Sequence, residues 1–225
     1  MTTLTTSPLA PLLHRLFAEA EAAEPLMRQA FEKLSPEDRK AAMGEGDYRA
    51  FYMRAKDFPL PVSRETGALL YMLARATGAR SIVEFGTSFG ISTLHLAAAL
   101  KDNGGGRLVT TEFEPSKVAR ARATFAKAGV ADLIEIREGD ALETLARDLP
   151  DSIDLVLLDG AKALYPAILA LVEGRLRSGA LILADNANWS ADYLARVRSP
   201  SHGYISIPFG EDVELSMKLG GPLSP

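Results

Sequence analysis

Cysteine is absent from the 225-residue chain, and only one tryptophan and three histidines occur. Disulfides, thiolate metal sites and cysteine nucleophiles are therefore excluded. The formal net charge is -4 and no stretch is dense in Lys and Arg, so we expect no nucleic-acid partner. No apolar run approaches the ~18 residues of a membrane span, and the first residues lack a signal-peptide pattern. We therefore expect a cytoplasmic protein without a membrane partner.

From residue 79 onward, short apolar runs rich in β-forming residues alternate with helical patterns. Apolar strands separated by helices are typical of a parallel sheet that is covered on both faces. Two final runs, separated by Glu and Asp, predict an antiparallel hairpin at one edge of the sheet. The fold class is thus α/β, with a doubly wound Rossmann-like sheet. The predicted strands are 81–85, 107–113, 133–138, 153–159, 180–185, 204–210 and 213–219, and the predicted helices between them are 90–101, 115–128, 141–148 and 162–175.

The N-terminal part has a different composition, rich in Ala, Leu, Glu and Arg. Residues 7–54 predict two or three helices, and SPED at 35–38 is a capping signal. A linker with two prolines follows at 57–63, and a helix at 64–78 ends on a glycine that can serve as its C-cap. We therefore divide the chain into a helical arm or lid, 1–60, and an α/β domain, 61–225. The aromatic residues of the arm fit a lid over a planar substrate and a dimer contact equally well; they are Tyr48, Phe51, Tyr52 and Phe58.

An acidic residue stands at or just after the end of each predicted parallel strand. Ligands of open α/β sheets bind beyond these strand ends, near the switch in strand order. We therefore treat the acids as candidate ligand-binding residues: Glu84, Glu112, Asp140, Asp159 and Asp185, the last followed by Asn186.

The turn after the first strand contains Gly86 and Gly90 and opens a helix. It lacks the third glycine of a dinucleotide fingerprint and the Gly-Lys-Ser/Thr of a phosphate loop. Glu112 is placed like the acid that takes both ribose hydroxyls in nucleotide-binding α/β folds. A ligand with a ribose and a zwitterionic tail but no phosphate fits this combination, and S-adenosylmethionine is such a ligand. Tight packing alone would also explain the glycines, and NAD is a disfavoured alternative.

Asp159 and Lys162 form a D-x-x-K at the end of the fourth strand. Taken alone, this pair is most simply a solvated salt bridge at a strand-to-helix turn. Its interpretation depends on the neighbouring strand end, where Asp185 and Asn186 add two oxygen-bearing side chains.

Five segments, in this order, resemble the cation-dependent class I O-methyltransferases, a family that includes catechol O-methyltransferase and bacterial relatives. The resemblance runs from about residue 61 to 219, and the D-x-x-K followed by D-N is its most specific part. It implies that 61–225 is an S-adenosylmethionine-binding methyltransferase domain. The segments are VEFGTSFGIST, TTEFEPSKVARARATFAKAGV, EGDALETL, LVLLDGAKALY and LILADNANW.

The resemblance also implies a role for individual residues. Cofactor binding falls to the backbone near Val62, to Glu84, Gly86 and Ser92 at the methionine part, to Glu112 at the ribose, to Asp140 at the adenine amino group, and to Asp159. The implied cation ligands are Asp159, Asp185 and Asn186, with Lys162 as the general base and Trp189 near the substrate ring.

Two carboxylates and an amide oxygen make a hard site that suits Mg²⁺, with Mn²⁺ and Ca²⁺ as alternatives. A cation there would lower the pKa of a bound hydroxyl, and Lys162 would have to be neutral to take the proton; the cation and burial would both lower its pKa. Gly160 predicts a roomier substrate pocket. We therefore predict an O-methyltransferase that needs S-adenosylmethionine and a divalent cation, acts on a small catechol-like molecule, and forms a homodimer. A methyltransferase for a non-catechol molecule without a metal, a non-catalytic cofactor-binding module and an NAD-dependent oxidoreductase are the alternatives.

Overall fold

A computed structural model describes residues 2–38 and 48–220 of the chain. Its centre is a seven-stranded sheet in the order β3-β2-β1-β4-β5-β7-β6. The strands are β1 (Ser81–Phe85), β2 (Arg107–Glu112), β3 (Ile134–Glu138), β4 (Ile153–Leu158), β5 (Leu176–Ala184), β6 (Tyr204–Phe209) and β7 (Val213–Lys218).

The first five strands run parallel to one another, as their apolar sequences predict. Strand β1 pairs with both β2 and β4, so the strand order reverses between β1 and β4. Ile82 and Val83 point to opposite faces of the sheet, and both are fully buried because helices cover the two faces. The carboxyl ends of β1, β2, β4 and β5 meet at one edge, which is where an open α/β sheet binds ligands.

The C-terminal hairpin is confirmed, and its two strands have different places in the sheet. Strand β7 lies between β5 and β6 and runs antiparallel to both. Strand β6 is therefore an edge strand, opposite β3 at the other edge, and the turn between β6 and β7 comes near the end of β5.

The helices are α1 (Leu9–Glu32), α2 (Tyr48–Arg54), α3 (Arg64–Ala76), α4 (Ile91–Asp102), α5 (Pro115–Ala128), α6 (Ala141–Thr144), α7 (Tyr165–Val172) and α8 (Ala191–Arg198). The predicted helix at 141–148 is wrong in length, since α6 stops four residues earlier. Arg137 explains the stop, because its guanidinium donates to the carbonyl oxygens of Thr144 and Arg147 at 2.6 Å each. These carbonyls are thus satisfied without a further helical turn.

Local capping signals behave as the sequence predicts. The hydroxyl of Ser35 accepts a hydrogen bond from the backbone N–H of Asp38 at 3.0 Å. Gly78 follows α3 in the left-handed conformation, with φ +62°, as expected of a C-cap glycine.

Helix α1 packs onto the α/β core. Its buried side chains recur at helical spacing, and five of them join the same apolar cluster as residues of α4 and α5. These five are Leu9, Leu12, Leu13, Leu16 and Phe17. The division of the chain at residue 60 stays a prediction. Residues 39–47 and the side chain of Phe51, part of the predicted aromatic group, lie outside the described residues. None of the described helices combines the length and the apolarity that crossing a membrane requires.

Candidate active site

A cleft with about 750 Å³ of open space lies at the carboxyl ends of β1, β2 and β4. The first two turns of α2 cover one side of it, so the N-terminal arm contributes directly to the site. Its lining includes Tyr48, Arg49, Tyr52, Phe85, Gly86, Glu112, Lys117, Asp140, Asp159 and Gly160.

The glycine turn after β1 brings the backbone of β1 against the end of β4. Gly86 has φ +104°, and a Cβ atom built on it would lie 2.5 Å from the carbonyl oxygen of Asp159. Only glycine fits this close approach without a shift of the backbone. A smaller recess beside the turn is lined by Pro61, Ser92 and Asp159, among others.

Glu84 is fully buried beneath the turn. Its carboxylate accepts hydrogen bonds at 2.6 Å from the hydroxyls of Ser92, Thr93 and Thr110. Burial raises the pKa of Glu84 to about 7, although the three hydroxyls oppose the shift. The side chain of Glu84 therefore lies behind Ser92, which itself lines the recess. Direct contact of Glu84 with a cofactor stays a prediction.

Glu112 lines the cleft and is held by backbone groups. One carboxylate oxygen accepts from the N–H groups of Phe113 and Glu114 at 2.9 Å, and the other accepts from Ser88 N–H at 2.8 Å. The pKa of Glu112 is raised, because burial outweighs the opposite effect of these N–H groups and of Lys117. The carboxylate is therefore fixed in position, with remaining acceptor capacity for a ligand.

Asp140 also lines the cleft, and both of its oxygens have partners. One accepts the N–H of Leu142 at 2.9 Å and so caps α6. The other forms an ion pair with Arg49 of α2. The arm is thus tied to the residue that the sequence assigns to the adenine amino group.

Asp159 and Lys162 form a buried ion pair. Nζ of Lys162 lies 3.0 Å from Oδ1 of Asp159, and the two side chains are only 7% and 12% exposed. The pair is not the solvated salt bridge that a lone D-x-x-K would predict. Burial raises the pKa of the Asp159 carboxyl, and the ammonium beside it acts in the opposite direction.

The expectation that a bound cation and burial together lower the pKa of Lys162 stays a prediction, and in the ligand-free protein this pKa is raised. Burial does lower it, but electrostatic interactions with the phenol groups of Tyr165 and Tyr52 and with the carboxylate of Asp159 outweigh burial and hold the pKa well above its ordinary value. Asp159 and Asp185 are the acids that favour the protonated form of the lysine.

Asp185 and Asn186 follow β5 and lie beside this pair. Burial raises the pKa of Asp185 to about 8, and the charges of Asp159 and Asp212 add to the effect. Asn186 is in the left-handed conformation and donates from Nδ2 to Asp212 Oδ2 at 2.7 Å. Its amide oxygen therefore stays available as an acceptor.

The predicted divalent-cation site can be compared with these oxygen ligands. Within residues 2–38 and 48–220, no three Asp, Glu, His or Cys side chains gather into a metal centre. Two neighbouring carboxylates that repel each other, together with an amide oxygen, nevertheless match the preference of Mg²⁺ for hard oxygen ligands. The residues Asp159, Asp185 and Asn186 thus fit a divalent cation.

Two further residues support the strand ends and escaped the sequence analysis. The hydroxyl of Tyr165 lies 2.8 Å from the carbonyl oxygen of Leu158 and 2.7 Å from that of Asp185, so it holds the ends of β4 and β5 together. Asp212, from the β6–β7 turn, orients Asn186 through its carboxylate. Its backbone carbonyl oxygen accepts the backbone N–H of Ala187 at 2.8 Å. Tyr165 ends the segment LVLLDGAKALY, which suggested no role for it, and Asp212 lies outside the five segments.

Three sequence-based expectations concern the rim of the site. Trp189 is 50% exposed and is not among the described residues that line the cleft, so its contact with a substrate stays a prediction. The side chain of Val62 belongs to the hydrophobic core. The roomier pocket expected at Gly160 is wrong at that point, since a Cβ there would lie 2.4 Å from the ring of Phe85, which occupies the space.

Comparisons with known proteins show the family of the chain. A family model described as O-methyltransferase matches residues 42–213. Catechol O-methyltransferase of Mycobacterium tuberculosis is 38% identical over 127 residues, which are 56% of this chain and 57% of that protein. The alignment thus spans little more than half of that relative.

Two solved structures have the same fold. The O-methyltransferase TomG from Streptomyces achromogenes, involved in tomaymycin synthesis and solved in complex with SAM, is 31% identical, with a TM-score of 0.64 over 84% of this chain and 92% of that chain. The cofactor-bound protein Rv0187 from MTB is 28% identical, with a TM-score of 0.65 over 83% of this chain and 98% of that one.

Proposed function

Because the chain belongs to the O-methyltransferase family, we propose that it transfers the methyl group of S-adenosylmethionine to a hydroxyl oxygen of a small molecule. The observation that carries the proposal is the shared cleft, since the carboxylates of Glu112 and Asp159 line the same space. A cofactor held at Glu112 would extend toward the buried pair of Asp159 and Lys162. The SAM complex of TomG, a relative of similar fold, supports the choice of cofactor.

The orientation of the cofactor follows from the groups along the cleft. Glu112 would accept hydrogen bonds from the ribose hydroxyls, and Asp140 would accept one from the adenine amino group. The methionine part would lie along Gly86 and the recess that contains Ser92. The methyl group would then face the ends of β4 and β5.

The reaction is a displacement at the methyl carbon. The acceptor oxygen forms a bond to that carbon while the bond between carbon and sulfur breaks, which leaves S-adenosylhomocysteine and a methyl ether. The hydroxyl proton goes to Lys162, whose Nζ is buried beside Asp159. Holding the two reactants in line is expected to contribute much of the rate.

A divalent cation, most simply Mg²⁺ and alternatively Mn²⁺ or Ca²⁺, is part of the proposal. Asp159, Asp185 and Asn186 would hold it. When bound, it would lower the pKa of the acceptor hydroxyl and balance the carboxylates that now keep Lys162 protonated. Without that balance Lys162 is a poor base, and this is the physical reason to expect a cation requirement.

For the acceptor, we propose a molecule with two neighbouring hydroxyls on a ring. Two adjacent oxygens can share one cation, and aromatic side chains of the cleft, such as Tyr48, Tyr52 and Phe85, can pack against a ring. The similarity to a catechol O-methyltransferase points in the same direction.

A homodimer in the cytoplasm also stays part of the proposal. Ile205, Ile207 and Met217 share one face of the β6–β7 hairpin and are 58%, 55% and 42% exposed. An apolar face of this kind is a candidate contact between two copies. Light scattering of the wild type and of Ile207→Lys tests this; a wild type that is monomeric at micromolar concentration would contradict it.

Calorimetric titration tests the cofactor assignment. The protein should bind S-adenosylmethionine and S-adenosylhomocysteine at micromolar concentration and should not bind NAD. Binding of NAD without binding of S-adenosylmethionine would overturn the proposal in favour of the oxidoreductase alternative.

A further inference from the structure

Lys117 is a buried cation in the wall of the cleft that neither the motif analysis nor the proposed reaction uses. It stands in the first turn of α5, directly after β2, and only 4% of the residue is exposed. It lines the same cleft as Glu112 and Asp140. A buried ammonium at such a place needs a physical explanation, since burying an unpaired charge is costly.

The ammonium of Lys117 is left almost without partners. Its hydrogen bond to Ser88 Oγ is 3.5 Å long, at the limit of such a bond, and its other contact is the ring of Phe89 at 5.6 Å. Across the described part of the chain, no carboxylate oxygen lies within 4.0 Å of Nζ. By contrast, the other buried ammonium, that of Lys162, has a carboxylate at 3.0 Å. Most of the donor capacity of Lys117 is thus unused.

The neighbouring acids are engaged elsewhere, which explains why no ion pair forms. Glu112 accepts three backbone N–H groups, as described above. Glu114 caps α5 by accepting the backbone N–H of Lys117 at 2.9 Å and also accepts the hydroxyl of Ser116. Burial lowers the pKa of Lys117, and the charges of Glu112 and Glu114 oppose that shift. The charges are close enough to interact, but the carboxylates are turned away.

A donor with only one long hydrogen bond and a fixed acceptor therefore line the same cleft. A hydroxyl group can satisfy both at once, because its oxygen accepts one hydrogen bond while its proton is donated to another group. Among the groups of S-adenosylmethionine, only the two ribose hydroxyls combine a donor and an acceptor on a single atom.

We infer that Lys117 binds the ribose of the cofactor, donating from Nζ to a hydroxyl oxygen whose proton is accepted by Glu112. This rests on the proposed function, since it takes S-adenosylmethionine as the ligand of the cleft. The ligand completes the hydrogen bonding that the protein alone leaves open at Lys117, and the cost of the buried charge in the free protein is recovered on binding.

The test compares Lys117→Met with Arg120→Met as a matched control. Arg120 lies one helical turn further along α5, stacks on the same ring of Phe89 at 3.8 Å, and is 44% exposed. The affinity for S-adenosylhomocysteine is measured by calorimetry. We expect at least a tenfold loss for Lys117→Met and less than a twofold change for Arg120→Met. Equal affinities of wild type and Lys117→Met would overturn the inference.

Ligand analogues separate a ribose contact from a general effect. The 2′-deoxy and 3′-deoxy forms of S-adenosylhomocysteine each lack one candidate hydroxyl. The penalty of Lys117→Met should fall below about threefold for the analogue that lacks the contacted hydroxyl, and persist for the other. An equal penalty for all three ligands would exclude the ribose contact.

Thermal unfolding of the ligand-free variants gives a second readout. The melting temperature of Lys117→Met should equal or exceed that of the wild type, since no ion pair is lost, and a marked decrease would indicate a structural role instead. Lys117→Gln, which keeps a donor, should bind with intermediate affinity, and it replaces the methionine variant if that one does not fold. If the wild type itself fails to bind S-adenosylhomocysteine, the proposed function fails. If the wild type binds it and the Lys117 variants bind it equally well, the ribose contact alone is wrong.

Discussion

Nζ of Lys162 lies 3.0 Å from Oδ1 of Asp159, with both side chains almost completely buried. Burying two charges costs desolvation energy that their attraction offsets only in part, so such a pair is weak evidence for a purely stabilising role. It lies at the carboxyl end of β4, where Asp185 adds a second carboxylate whose pKa is raised to about 8. The arrangement favours a reactive centre over a structural ion pair.

Lys162→Met should abolish turnover while cofactor binding persists. The proton acceptor is lost, and general base catalysis typically contributes ~10²–10⁴-fold to a rate. We expect the turnover number to decrease by a factor within that range. The dissociation constant for S-adenosylhomocysteine should change less than threefold. Lys127→Met, at an exposed position of α5, is the control. A Lys162 variant that retains wild-type turnover would remove this residue as the base.

Asp185→Asn should separate activity from stability. With its pKa at about 8, Asp185 holds a proton in much of the ligand-free protein at pH 7, so the neutral amide should cost little stability. The same change removes a carboxylate from the proposed cation site. We expect a loss of turnover of at least tenfold at saturating Mg²⁺, with a melting temperature equal to or above that of the wild type. Asp192→Asn, exposed on α8, should leave both unchanged.

The pH dependence of stability should contain a contribution from Glu84. Its pKa rises from 4.5 to about 7 in the folded protein, so the folded state binds the proton more tightly than the unfolded state. The resulting stability is fully present below pH 4.5 and is lost as the pH rises to about 7. The rise of this pKa from 4.5 to about 7 corresponds to a contribution of about 3 kcal/mol to the free energy of unfolding.

Denaturant unfolding of the wild type and of Glu84→Gln checks this contribution. The free energy of unfolding of the wild type, relative to the variant, should decrease by about 3 kcal/mol between pH 4.5 and pH 7.5. The variant is isosteric with the protonated acid and keeps most of its hydrogen bonds. Parallel pH profiles of the two proteins would show that Glu84 does not titrate in this range.

Asp212→Ala should weaken the response to the cation without affecting the cofactor. Asp212 orients the amide of Asn186 through a 2.7 Å hydrogen bond. Loss of such a supporting contact typically weakens metal affinity ~10–100-fold. We expect the Mg²⁺ concentration for half-maximal turnover to rise at least tenfold, whereas affinity for S-adenosylhomocysteine stays within threefold. Glu211→Ala, the exposed neighbour, is the control, and equal Mg²⁺ responses would contradict the positioning role.

The fold was largely predictable because its signals are local. Apolar strands, the caps at Ser35 and Gly78, and the glycine turn at Gly86 each depend on a few consecutive residues. The acids at the strand ends were predictable for the same reason, since parallel strands bring their carboxyl ends to one edge.

Contacts between distant segments were not predictable. Phe85 fills the space beside Gly160, Asp212 approaches Asn186 from a hairpin turn, and Lys117 reaches the cleft from a helix whose other basic residues are exposed. The raised pKa of Lys162 in the ligand-free protein also depends on such contacts, since it reflects the neighbouring acids as well as burial. Each of these outcomes depends on packing that sequence spacing does not encode.

Methyl transfer from labelled S-adenosylmethionine to a panel of catechols, with Mg²⁺ and with excess chelator, tests the central claim most directly. We predict a labelled methyl ether with Mg²⁺, its loss with chelator and its return when Mg²⁺ is restored. Product formation that chelation leaves unchanged would contradict the cation role of Asp159, Asp185 and Asn186. Absence of any labelled product from hydroxylated acceptors, in a protein that binds S-adenosylmethionine, would contradict the account as a whole.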